Sequence, residues 1–96
     1  MTSIAVADAA AVAALLPEVA QDLVTALNLD VAPAQIDPEA PLYGDGLGLD
    51  SIDILEVALV VARKYGFELR ANDERNPQIF SSLRALAEHI AAHRTR

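Results

Sequence analysis

The stretch Gly44-Asp45-Gly46-Leu47-Gly48-Leu49-Asp50-Ser51 constrains this chain more than any other. Three of its four glycines fall within five residues there. Glycine is entropically unfavourable inside a helix or a strand, so neither element is expected to run through this segment. Immediately afterwards the character changes. From Leu49 to Tyr65 there is no Gly or Pro, and apolar residues compatible with a helix dominate up to Gly66. Asp50 suits the N-cap position: its carboxylate can accept from first-turn N–H groups and sits favourably at the positive end of the helix dipole. Ser51 then becomes the first helical residue, with its hydroxyl at the helix mouth, where a bulky group can reach it.

Around this turn the chain alternates helical patterns with breakers. Residues 1–16 are alanine-rich. Asp8 could cap a helix over residues 9–16, but Pro17 biases Leu16 away from helical angles. Two readings compete, a separate or kinked N-terminal helix and a frayed, partly helical extension. The clear helical signal starts at Pro17, well placed in a first turn, and repeats through Val19, Leu23 and Leu27 before ending near Asn28-Leu29-Asp30. Residues 30–50 form a long connection with Pro33, Pro38 and Pro41, in which Val31, Ile36, Leu42 and Leu47 are spaced as anchors. A loop of that length in a compact domain is expected to be functional or well anchored.

Helix II is expected over residues 51–65, stopping at Gly66. At about 100° per residue, Ile54, Val57, Ala58, Val61 and Tyr65 share one stripe, the expected core face. Ile52, Leu55 and Leu59 form a second apolar stripe flanked by Asp53 and Glu56. Either the loop or the following short segment covers that stripe, or it is a docking surface. Further on, Asp73-Glu74-Arg75 could make one short turn before Pro77, and Ile79 and Phe80 return to the core. Ser81 or Ser82 caps a last helix with Leu83, Leu86, Ala87, Ile90 and Ala91 on one face. Arg94 and Arg96 suit its negative end. The chain is expected to be all-α, with three main helices plus a short one.

Composition removes several function classes. The 96 residues suffice for one modest core. Hydrophobic residues make up 53% but aromatics only 4%, which favours close-packed helices over a β-sandwich. A net charge of −7 argues against nucleic-acid binding and for basic partner proteins. Without cysteine there is no disulfide framework, thiolate metal site or cysteine nucleophile. No signal-peptide pattern is present, and no run is long enough to span a bilayer, so a cytoplasmic chain without membrane insertion is expected.

Other site chemistries fit poorly. An EF-hand loop counted from Asp45 to Glu56 would place Leu47 and Leu49 at ligand positions. A serine hydrolase at Ser51 needs a base, yet the histidines, His89 and His93, both fall on the last helix. That pair lacks a third metal ligand and is expected to be solvated surface. The Gly-x-Gly matches follow no strand, so a dinucleotide fingerprint is unsupported.

Gly48-Leu49-Asp50-Ser51-Ile52-Asp53 resembles the Asp-Ser-Leu motif of acyl carrier proteins, and the resemblance covers residues 17–96. It implies an acyl-carrier-like four-helix bundle with a long loop between helices I and II. A domain over residues 17–96 follows, preceded by the extension of residues 1–16. It also implies a non-enzymatic carrier. A phosphopantetheinyl transferase would move 4′-phosphopantetheine from coenzyme A onto Ser51, next to Asp50, and acyl groups would ride on the terminal thiol as thioesters. Ile52, Asp53, Leu55, Glu56, Leu59 and Arg63 would face partner enzymes of ketosynthase, acyltransferase or acyl-ligase type, in fatty-acid or polyketide biosynthesis, with the carrier a monomer. Two departures refine this. Ile52 stands where leucine is usual, and Val60-Val61-Ala62-Arg63-Lys64 occupies a stretch typically acidic in housekeeping fatty-acid carriers. The Leu42-Tyr43-Gly44 lead is similar to discrete carriers of dedicated bacterial pathways, of polyketide or aryl-polyene type. A peptidyl carrier is a variant of the same idea. An unmodified helical adaptor, binding through the Ile52, Leu55 and Leu59 stripe, is the alternative from another class.

Overall fold

The computed structural model describes residues 9–43, 48–69 and 74–95. Four α-helices follow in order: α1 (Ala9–Leu27), α2 (Ser51–Tyr65), α3 (Asn76–Ile79) and α4 (Leu83–His93), with a 3-10 turn at Pro33–Gln35. The described residues contain no β-strand beyond two isolated bridges. This is the acyl-carrier-like helical bundle expected. α1 packs against both α4 and α2, and the short α3 leans on α4. Val19, Leu23, Val57, Val61, Tyr65, Phe80, Leu86 and Ile90 are the buried centre of one continuous apolar core.

The first helix starts eight residues before Pro17, at Ala9, and runs straight through the proline. Proline inside a helix removes one N–H bond and crowds the carbonyl four residues back, at about 3 kcal/mol or more. Two features offset this. The alanine run has the highest helix propensity available, and Val12 and Leu15 are buried in the core, so the extra turns are held by packing. Ala13, whose carbonyl loses its partner, lies on the exposed side where water can replace it. The expected cap at Asp8 lies outside the described residues. α1 closes on Asn28 at φ 53°, followed by a Leu29 N–H to Val24 carbonyl bond of 3.1 Å. That is a Schellman-type stop, and asparagine tolerates its left-handed residue.

The expectation that no run reaches membrane-spanning length is corrected by α1. Ala10–Leu27 gives 18 residues of mean hydropathy 1.4, enough by length and composition to cross a bilayer. The core helix of a bundle meets the same criterion, and here Val12, Leu15, Val19, Ala20 and Leu23 are buried against the rest of the fold. Glu18 and Asp22 are tied to α2: Tyr65 Oη lies 2.7 Å from a carboxylate oxygen of each. Lys64 Nζ lies 2.8 Å from Asp22 and 3.6 Å from Glu18.

The long connection is held at its described ends. Ile36 and Leu42 are buried as anchors, whereas Val31 is exposed; it sits just after the α1 stop, where the chain has turned away from the core. The expected anchor Leu47, with Gly44, Asp45 and Gly46, lies outside the described residues. Leu49, two residues on, is buried. Pro41 bridges Ser82, the Arg84 N–H donates to the Pro38 carbonyl at 2.9 Å, and the Arg84 guanidinium pairs with Glu39.

The short helix begins after Arg75 rather than on Asp73-Glu74-Arg75, and it contains Pro77. Proline needs no N–H partner in a first turn, so it starts this helix instead of ending one; Asp73 lies outside the described residues. Ser82 is the cap of α4, accepting from the Ala85 N–H at 3.1 Å. Past the last turn, the Thr95 N–H and hydroxyl donate to the carbonyls of Tyr65 and Gly66, at 2.9 and 2.7 Å. Arg94 stacks 5.1 Å above the Tyr65 ring. Arg96 lies outside the described residues.

Candidate attachment site and docking face

Ser51 is held by the turn that delivers it. Gly48 adopts φ 71°, a left-handed conformation that a β-carbon would disfavour. The chain then folds back on itself: Leu49 N–H donates to the Leu42 carbonyl at 3.0 Å, and Tyr43 bridges Leu49 in parallel. With Leu42 and Leu49 both buried, the residue before the helix has little freedom. Asp50, at φ −108°, caps α2 as expected, accepting from the Asp53 N–H at 3.0 Å. Asp53 reciprocates, its carboxylate accepting from the Asp50 N–H at 3.1 Å. Sequence reasoning assigns Asp53 to partner recognition and misses this capping box. A signal for it exists, an acidic residue three positions after a capping aspartate.

Ser51 is exposed as the first residue of α2. The N–H groups of a first helical turn have no intrahelical acceptor, and the capping carboxylate takes only that of Asp53. Those of Ser51 and Ile52 therefore remain at the mouth, beside the hydroxyl, where a phosphate on Ser51 would find donors and positive dipole. An open pocket of about 310 Å³ adjoins it, lined by Tyr43, Asp50, Ser51, Ile54 and Asn76. Burial pushes the Tyr43 phenol above its ordinary value of 10.0, so it stays neutral at working pH.

The two stripes of α2 separate as expected. Ile54, Val57, Ala58, Val61 and Tyr65 are buried. Ile52, Leu55 and Leu59 are 72%, 44% and 56% exposed, so the stripe is open rather than covered by the described residues. Glu56 and Arg63 are exposed on the same helix. Lys64, which adjoins Arg63 in the stretch that departs from housekeeping carriers, pairs with Asp22 and Glu18 of α1. The hydrogen bond to Asp22 chiefly holds its ammonium above the ordinary range. Carboxylates one helix away, invisible in a linear sequence, explain the difference.

The histidines are not simply solvated. His89 and His93 stack with ring centroids 4.1 Å apart, and Phe67 packs 5.7 and 5.9 Å from them. Phe67 lies just past the C-terminal end of α2, about 20 Å along the helix from Ser51. Neither imidazole can serve the serine as a base. Among the described residues no three His, Cys, Asp or Glu side chains converge.

The Ser51 hydroxyl is exposed at a helix mouth, beyond reach of either histidine. Comparison with known proteins gives the class of the chain. The family described as the phosphopantetheine attachment site matches residues 18–90. The chain is also similar to acyl carrier protein 2, mitochondrial, of Arabidopsis thaliana, at 35% identity over 63 residues. That alignment covers 66% of this chain and 47% of the relative, so the chain spans about half the relative's length. The chain belongs to the phosphopantetheine-carrier family. It is a carrier rather than an enzyme, and its prosthetic group is covalently attached 4′-phosphopantetheine.

Proposed function

We propose that Ser51 is the attachment residue and that the chain carries acyl intermediates as thioesters on the arm. The supporting observation is the exposed Ser51 hydroxyl on the first turn of α2, fixed by the Gly48 turn and the Asp50–Asp53 capping box. Ser51 Oγ would attack the phosphopantetheine phosphorus of coenzyme A on a phosphopantetheinyl transferase, forming the serine phosphodiester as the pyrophosphate bond breaks, releasing adenosine 3′,5′-bisphosphate, with the serine proton passing to the transferase. Asp50 orients the serine by capping the helix. The serine phosphodiester is chemically durable, and the thiol that takes the acyl group belongs to the arm, consistent with a chain that has no cysteine.

In this reading residues 17–96 form the carrier domain, and residues 9–16, the opening turns of α1, pack onto it. Partner enzymes of ketosynthase, acyltransferase or acyl-ligase type would dock on Ile52, Leu55 and Leu59, with Asp53, Glu56 and Arg63 setting charge complementarity. The basic Arg63 favours a discrete carrier of a dedicated pathway, of polyketide or aryl-polyene type, over exchange with general fatty-acid synthase enzymes. We place the carrier in the cytoplasm as a monomer.

Intact mass after incubation with coenzyme A and a broad-specificity transferase tests the attachment. The expected result is a gain of one phosphopantetheine, lost in Ser51→Ala. That variant should fold with a stability change within roughly 0.5 kcal/mol, because the side chain is small and exposed. Loading of Ser51→Ala at Ser81 or Ser82 would refute the assignment.

A further inference from the structure

α4 ends on a side-chain cluster that attachment at Ser51 leaves unused. His89 and His93 are four residues apart, so they lie on one face of the helix on consecutive turns. Their rings stack with centroids 4.1 Å apart and planes 25° from parallel, and Phe67 packs 5.7 and 5.9 Å from the two. His89 is half-buried and His93 exposed. The Phe67 ring therefore restricts both imidazoles while solvent keeps access to the outer one. The protonation of His93 follows from its partner. Its Nδ1 lies 2.8 Å from the His89 carbonyl, and a carbonyl oxygen only accepts, so Nδ1 carries the proton. In the neutral ring Nε2 is then left with a lone pair.

A backbone carbonyl on the far nitrogen is the arrangement that orients metal-bound histidines and raises their basicity. His89 has two ring nitrogens, so it can keep a hydrogen bond at one and ligate through the other. A tetrahedral ion with bonds of about 2.0–2.1 Å holds two nitrogens roughly 3.3 Å apart, a small ring tilt from the present spacing. The C-terminal end of a helix dipole also favours a cation. We propose that His89 and His93 form a two-imidazole chelate for a divalent transition-metal ion of the copper–zinc type, with solvent completing its coordination. Imidazole suits these ions, whereas magnesium and calcium take oxygen. Such an open site requires no third protein ligand, and among the described residues no group of three is present. The ion would lock the last two turns of α4. Thr95 already joins that end to α2, donating to the Tyr65 and Gly66 carbonyls. The clamp therefore closes the bundle at the other end of α2 from Ser51.

The test uses the full chain without an affinity tag and without the phosphopantetheine arm, whose thiol would itself take metal. Zinc chloride is titrated into ¹⁵N-labelled protein, followed by calorimetry and by long-range ¹H–¹⁵N spectra of the imidazoles. One ion per chain should bind, moving the ring nitrogens of His89 and His93 and raising Tm. Magnesium chloride should move neither ring. His93→Gln changes an exposed position, so it should fold as wild type and weaken zinc binding at least about tenfold, the scale on which even outer-shell partners matter. His89→Gln should weaken it as much. Phe67→Leu keeps both ligands and removes the packed ring, so its effect should be smaller. Zinc affinity unchanged in folded His93→Gln, or imidazole signals unmoved at zinc saturation, overturns the site and leaves the pair as an aromatic cap on the core. Either result leaves the carrier reading intact, since loading at Ser51 uses neither histidine.

Discussion

Replacing Tyr65 by phenylalanine removes one oxygen from the junction of α1 and α2 and leaves the ring, which is fully buried, in place. That oxygen stands 2.7 Å from both Glu18 and Asp22. A phenol has one proton, so it supports one full hydrogen bond to a carboxylate, worth about 1.5–3 kcal/mol when the acceptor is charged. Glu18 is well exposed and Asp22 keeps its Lys64 partner. Water and the ammonium can therefore resolvate what the phenol leaves, and the lower end is expected, a loss of about 1–2 kcal/mol at pH 7. For a domain of this size each kcal/mol lowers Tm by roughly 4–8 °C. The loss should depend on pH. The Glu18 carboxyl is held below its ordinary value of 4.5, first by the Tyr65 hydrogen bond. A carboxyl lowered in the folded state stabilises the fold above its unfolded value, and that contribution disappears as pH falls through the folded one. Urea unfolding of both proteins at pH 7 and pH 3 measures this. The Tyr65→Phe penalty should be full at pH 7 and smaller at pH 3. Equal penalties at both pH values, or none at pH 7, would refute the assignment of the phenol to a charged partner.

Two further outcomes follow from the faces of α2. Val61→Asp places an unpaired charge in the core and should cost several kcal/mol or unfold the domain. Leu55→Asp should melt near wild type yet slow turnover by the partner enzyme, and circular dichroism melts that reverse the order would invalidate the two stripes. Arg63→Glu should improve use by general fatty-acid synthase enzymes and weaken use by the native partner, with both effects shrinking at high salt. Unchanged turnover with both enzyme sets would make Arg63 a bystander. Lys64 is unsuited to that comparison, because Lys64→Glu would also break the ion pairs to α1.

Periodicity alone makes α2 and α4 legible in the sequence, since both stripes of α2 and the buried face of α4 follow directly from a 3.6-residue repeat. Capping residues set their ends: Asp50, Gly66 and Ser82 all serve as the linear pattern suggests. The features that escape a linear reading are decided by tertiary contact. Pro17 reads as a helix start because the local rule is strong, and burial of Val12 and Leu15 overrides it. Leu49 looks like part of a motif but works as an anchor. Lys64 looks like surface charge until α1 brings two carboxylates beside it. At the proposed attachment site the serine and its cap are apparent from the sequence, while the pocket is not. Its lining joins residues 43, 50, 51, 54 and 76, and no local pattern links position 76 to position 51.

The connection between α1 and α2 has a mechanical consequence. Its length suggests slack, yet its described ends behave as a strut. Leu42 and Leu49 are stitched together immediately before Ser51, and Pro38 and Pro41 are fastened to Arg84 and Ser82 at the opening of α4. Any tug on a group tethered to Ser51 would pass to α2 and, through the Leu49–Leu42 and Arg84–Pro38 hydrogen bonds, to the first turn of α4. A carrier whose arm is repeatedly drawn into other proteins can in this way bear that traction without unwinding the turn that presents the serine.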